Sequence, residues 1–383
     1  MNTSPPRLIF SCNRFLATAA MLVSVAALPA RTIYVDDTTG SDVWTGAQPK
    51  PEAGDGPVKT IQAAVNQVRP GDVIFLNPGS GPYREEVVIK REHSGTKEAP
   101  VTLEGNDCLI DVSTDISAGP WTREGDDWIL ESPRLAENAP PEKVFRQRAI
   151  AFYKGRPVHV ADKKVAGYRI ATVTVDAGKR FRFRFADTAA SPPFTDLRLP
   201  QHPTICGVAF VSSFWWHINN LNVRGAGNDG FNLHGRGEGI VIRNSSAMFC
   251  GDEGASSHDA MQAEFHDCLF VFNASSVVDI NKSLTSYTNC ISAFNGEPGF
   301  CMTGKNGKYT ITDSLSAANR RAEAQSELPL ETTTVTNLVK LPKGNGVLEK
   351  IRAWKPGHPQ MKRLLATVEE VRAMGGGPDI ETK

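Results

Sequence analysis

Five short segments of this chain begin with asparagine or aspartate and recur at nearly even intervals. They read NLNV (220–223), NSSA (244–247), DCLF (267–270), NCIS (289–292) and DSLS (313–316), with starts 24, 23, 22 and 24 residues apart. Each follows an alternating, strand-like stretch: HINN, IVIRN, QAEFHD, TSYTN and YTITD. A second column runs alongside as GFNLH (230–234), GASSH (254–258), VVDIN (277–281) and GFCMT (299–303). Self-similarity at a fixed period constrains a fold more than any local propensity does. This period is too short for a propeller blade, and the segments lack the leucine pattern of a leucine-rich repeat. The expected architecture is all-β: a parallel solenoid whose coils stack about 4.8 Å apart. Asparagine and aspartate suit its turns, because they tolerate left-handed backbone and can hydrogen-bond along the stack. A sandwich of unrelated strands is the competing fold, and constant spacing over five coils argues against it.

Strand alternation then predicts faces. In the second column Phe231 and Leu233 are expected in the core, with Ala255 and Ser257, Val278 and Ile280, and Phe300 and Met302 above them. The outward ribbon is expected to carry Asn232 and His234, Ser256 and His258, Asp279 and Asn281, then Cys301 and Thr303. Asp229, Asp252 and Glu253 lie just before these strands, and Asp259 and Lys282 just after. The repeated acid–Gly phrases are therefore expected to stack. His234 should lie one strand spacing from His258, and Asp229 beside Asp252 and Glu253. Three close carboxylates repel one another unless a cation intervenes, and oxygen-rich sets of this kind suit Ca²⁺, the expected cofactor. A solvated turn that simply carries acids is the alternative.

The 383 residues suffice for one large or two ordinary domains. The first thirty residues read as a secretory leader: basic Arg7 and Arg14, an apolar run from Phe15 to Leu28, and small Ala26, Ala27 and Ala30. Export to the periplasm or the exterior is the expectation. Removing Arg7 and Arg14 takes the 42 basic residues to 40, against 42 acidic. That balance gives no electrostatic case for nucleic acid or a membrane surface, and a single chain is expected. The six remaining cysteines form no CxxC pair, so zinc is not expected; buried thiols are expected for most of them. Residues 31–105 read as an N-terminal cap and first strands, and 106–200, which break the period, as a β-rich insertion. The main coils occupy 201–320. Residues 321–383 read as a C-terminal cap and tail with an amphipathic helix, MKRLLATVEEVRAM.

The phrases IYVDDTTGSD, GPVKTIQAAVNQVRPGDVIFLNPGSGPYREEVVI and APVTLEG, taken with the coils at 205–320, resemble the right-handed parallel β-helix, or pectin-lyase-like, superfamily. The resemblance implies a helix capping the open end of the solenoid, and Ile61, Ala64, Val65 and Val68 share one helical face. Within the superfamily, DGF (229–231) followed by DEG (252–254) resembles a calcium-dependent pectate lyase type. That resemblance implies Asp229, Asp252 and Glu253 as calcium ligands, with Ser256 where that type has another acid. It implies β-elimination on a uronic-acid polysaccharide, with a lysine base, for which Lys282 is the candidate. His258 and His234 are the other bases that the chemistry allows. Asn232, Asp279 and Asn281 are then the expected substrate contacts, and an anionic polysaccharide the expected partner. Glycoside hydrolysis is the second reading: GNDG and GDEG faintly resemble polygalacturonases, and Asp229, Asp252, Glu253 and Asp279 could supply its two carboxyls. The Gly-His-Gly and Arg-x-Lys phrases of that family are missing. A glycan-binding or structural solenoid is the third, with Trp215 and Trp216 as stacking candidates.

Overall fold

The computed structural model describes residues 29–131, 149–160, 171–176, 180–185, 188–304, 306–319 and 332–376; most of the expected leader lies outside them. The chain is a parallel β-helix of three sheets. The first stacks nine strands, from Thr32–Val35 to Thr333–Thr336. The second stacks six, from Val87–Lys90 to Phe300–Met302. The third stacks seven, from Leu109–Asp111 to Val339–Leu341.

The Asn/Asp column explains the period. Asn220, Asn244, Asp267, Asn289, Asp313 and Asn337 all take positive φ, between 45° and 55°, at the corner between the first and third sheets. Their side chains form rungs along the stack: Asn244 donates to Asn220 at 2.6 Å, Asn289 to Asp267 at 2.6 Å and Asn337 to Asp313 at 2.9 Å. Few other side chains both accept this backbone and satisfy a neighbour.

Inside, the stack is apolar. Val208, Phe231, Ala255, Val277 and Phe300 are successive register partners in the second sheet, and all belong to one continuous core. One expectation fails here. The coil at 277–279 is slipped by one residue from the predicted phase, so Val277 and Asp279 face inward, while Val278 and Ile280 face out. Ser257, Asp279 and Met302 are register partners. Asp279 is 0% exposed and is not available to bind a substrate. A one-residue shift exchanges every side chain between faces.

Helix α1 (Ile61–Val65) is capped by Thr60, whose hydroxyl accepts from the Ala63 N–H. Its buried Ile61, Ala64 and Val65 seal the first coil. Among the described residues all six cysteines are free thiols, five of them buried.

The insertion begins later than expected, because Leu109–Asp111 still pairs within the third sheet. Beyond it, strands from Ser113–Asp115 to Leu197–Pro200 form a mixed, mainly antiparallel eight-stranded sheet around Phe181, Phe183, Phe185 and Phe194. Toward the C-terminus, α2 (Val347–Trp354) and α3 (Met361–Val371) lie along the flank of the solenoid. They cover the outer face of the third sheet, where Phe249, Phe272 and Phe294 stack at 5.6 and 5.1 Å.

Candidate functional site

The acidic turns join the third sheet to the second. Their glycines answer to packing. A Cβ on Gly230 would sit 2.3 Å from the Ala247 Cβ and 2.6 Å from the Gly254 carbonyl. One on Gly254 would sit 2.7 Å from Asn273 Nδ2. The acid–Gly phrase thus marks where the turn packs closely against the next coil. Gly230→Ala is expected to destabilise the protein by about 1–3 kcal/mol through overpacking, read as a lower midpoint in urea.

Ligand atoms of Asp229, Asp252 and Glu253 all lie within 4.8 Å of one another, the one cluster of that kind among the described residues. Asp229 is 1% exposed. Its carboxylate accepts from Asn232 Nδ2 and from the Glu253 N–H at 3.3 Å. Asn232 is therefore a buried support for the acid. The insertion closes on this turn through the Ala149 N–H, which donates to the Gly251 carbonyl at 2.7 Å. Burial, with Asp229 adding to it, pushes the Cys206 and Cys250 thiols up, which keeps both protonated and unsuited to ligation or attack.

Farther along the strands, the His234 and His258 rings stack at 4.3 Å with an interplanar angle of 9°. This is the one-coil separation that the repeat implies. His258 Nε2 lies 2.6 Å from Ser256 Oγ. Ser256 is the register partner of Asn232, so the imidazole turns back toward the acidic end of the strand. His234 Nδ1 lies 3.5 Å from Asp259 Oδ2, which also accepts from the Gly235 N–H at 3.0 Å.

Asn281 is exposed at a left-handed corner, and its amide reaches Asp259 at 3.4 Å. Lys282 is exposed and follows it. Asp259, Ala260, Ile280, Asn281, Lys282, Thr303, Gly304 and Asn306 line an open depression of about 720 Å³. Trp216 is buried and donates to the His93 carbonyl at 2.8 Å, whereas Trp215 is half-buried over Gly239.

Asp279 lies beneath this surface. It accepts from Thr285 Oγ1 and, at 3.1 Å, from the Tyr287 hydroxyl. Burial raises its pKa to about 7, although these hydrogen bonds pull the other way. Among the acids named from sequence, Asp229, Asp252 and Glu253 come together and Asp279 does not. Asp259, adjacent in sequence to His258, emerges as the carboxylate that faces the histidine pair.

No family model matches the chain, and no curated protein matches it. Among solved structures the chain is similar to XylC in complex with xylose, at 13% identity over 74% of this chain and 65% of that one, with a TM-score of 0.42. It is similar to pectate lyase Pel9A at 14% identity over 84% and 72% of the two chains, also with a TM-score of 0.42. A rhamnogalacturonan lyase matches at 12% identity over 76% and 69%, with a TM-score of 0.30. The chain thus aligns with just under two thirds of XylC.

Proposed function

We propose that the outer face of the second sheet binds an anionic, uronic-acid-containing polysaccharide outside the cytoplasm and cleaves it by β-elimination. One observation carries the reading. Three carboxylates converge within 4.8 Å at one end of a strand pair, and toward the other end a stacked imidazole turns back toward them. The donor set fits a hard divalent cation: it is all oxygen, partly buried, and its acids belong to adjacent coils. Asp229, Asp252 and Glu253 would hold Ca²⁺, which would bind the substrate carboxylate and stabilise the charge that develops there.

The chain's own groups supply the rest. Asn232 fixes the orientation of Asp229 by its hydrogen bond. Ser256 fixes His258. His258 takes the proton α to the uronate carboxylate. The C–O bond to the leaving sugar breaks as the double bond forms, and solvent protonates the departing oxygen. Imidazole is the side chain that exchanges a proton near neutral pH. Its hydrogen bond to Ser256, the register partner of Asn232, supports His258 over Lys282, which lies one coil away beyond a left-handed corner.

Hydrolysis is less well supported. Glycosidases need two carboxyls flanking the scissile bond, and the candidate that stands apart from the acidic cluster, Asp279, is in the core.

The test is a screen of uronic-acid polysaccharides, with and without Ca²⁺, for new ultraviolet absorbance. The expected result is an absorbing, unsaturated product that fades with chelator and is lost in His258→Ala. New reducing ends without absorbance would indicate hydrolysis instead, and retarded migration in a glycan gel with neither signal would indicate binding alone.

A further inference from the structure

We infer that Arg236 and Lys282 form a two-point anchor for carboxylates of an anionic glycan, set one coil to either side of Ala260. The inference rests on the reading of this face as a uronate-processing groove, and it assigns Lys282 an anchoring role in place of a catalytic one.

Register puts the three residues in one column. Arg236 is the partner of Ala260, and the Ala260 N–H donates to the Gly235 carbonyl. The Lys282 N–H donates to the Asp259 carbonyl at 2.8 Å. This is the same bond one coil up, so Lys282 stands opposite Ala260. Gly237 and Met261 follow Arg236 and Ala260 as register partners. Met261 and Ser283, the residue after Lys282, are 0% exposed, so the column before them faces out. Two strand spacings, about 9.6 Å, separate the two cationic positions. Ala260 between them is too small to bridge the gap.

The charges are available. Both side chains are exposed, and among the described residues neither has a carboxylate partner. Asp259, the acid next to Ala260, is turned to the Gly235 N–H, His234 and the Asn281 amide. The column lies immediately beyond the stacked imidazoles. On the Lys282 side it opens into the depression whose polar lining includes Asn281, Thr303 and Asn306. Amides, a hydroxyl and an ammonium suit sugar hydroxyls and a carboxylate. An apolar ligand would find little cover there.

The experiment is calorimetric titration, in chelator so that turnover is off, with an oligo-uronate bearing free carboxylates and with the same oligomer methyl-esterified. Arg236→Gln and Lys282→Gln are each expected to weaken binding of the free acid by about tenfold and to flatten its salt dependence. Neither should change binding of the ester. Lys282→Arg should restore the affinity lost in Lys282→Gln. Lys308→Gln, an exposed lysine outside the column, should leave affinity unchanged.

Equal losses for acid and ester, an equal loss in Lys308→Gln, or no loss at all would overturn the anchor. So would a collapse of kcat in Lys282→Arg once Ca²⁺ is returned, because a guanidinium cannot serve as the base. If the wild type binds the free acid selectively through these two residues but yields no ultraviolet-absorbing product with Ca²⁺, the anchor stands and the elimination reading alone fails.

Discussion

Replacing Asp279 with asparagine is expected to flatten much of the dependence of stability on pH between about 4 and 7, and to leave the variant more stable than the parent at pH 8. The carboxyl is fully buried, and its folded-state pKa is raised to about 7, chiefly by loss of solvation. In the unfolded chain an aspartate titrates near 3.9. Between those values the folded protein keeps a proton that the unfolded chain has released. Stability from this group is therefore complete below about pH 4 and is lost as pH rises through 7. A gap of three units corresponds to about 4 kcal/mol at most. Asparagine keeps the shape, and its amide oxygen can still accept from Thr285 or Tyr287. It never has to ionise in the core. Urea midpoints at pH 4.5 and pH 8 test this, and only the difference between parent and variant isolates the group. Glu85 and Asp196, also raised by burial, contribute equally to both proteins. Parallel profiles for the two would show that Asp279 is solvated or already paired in its ionised form.

The same residue shows where the sequence could be read and where it could not. Five coils were legible because each needs a left-handed corner between its first and third sheets, and Asn220, Asn244, Asp267, Asn289 and Asp313 supply it; the further corner at Asn337, whose flanking strands extend both sheets, falls in residues read as a cap and tail. The inward phase of 231–233 was legible because Phe231 and Leu233 flank a polar residue. At 277–280 the chain reads Val-Val-Asp-Ile, and its local pattern favours Val278 and Ile280 inside. The ladders above and below decide otherwise. Ser257 and Met302 hold Asp279 in the inward column, where Thr285 and Tyr287 satisfy it from the next strand. A buried hydroxyl pair six and eight residues downstream was the signal that could have revealed this. The C-terminal helix was legible as amphipathic, but its destination was not. Its partner face is built from Phe249, Phe272 and Phe294, bulky residues in left-handed conformations that propensity disfavours. For the site, spacing alone brought the three acids and the two imidazoles into register. The direction in which His258 turns depends on one hydrogen bond to Ser256, and periodicity carries no information about that.

The double substitution Asp252→Asn with Glu253→Gln should move stability in opposite directions according to whether Ca²⁺ is present. Without the ion, three carboxylates within 4.8 Å repel one another, and two isosteric amides relieve that repulsion at little cost in packing. In chelator the variant is therefore expected to melt at or above the parent. With Ca²⁺ at a hundred times its dissociation constant, binding to the folded state alone stabilises the parent by about 2.7 kcal/mol, a rise of a few degrees in Tm. The variant should lack that rise, and its order relative to the parent should reverse. Formation of the unsaturated product should fall by about a hundredfold or more, because the charge that develops on the substrate would lose its stabilising partner. The crossing of the two melting series carries the argument, since a variant that merely folds badly would melt below the parent under both conditions. Parent protein whose Tm ignores Ca²⁺, or a variant that gains as much as the parent does, would remove the cation from these three acids and with it the proposed source of charge stabilisation.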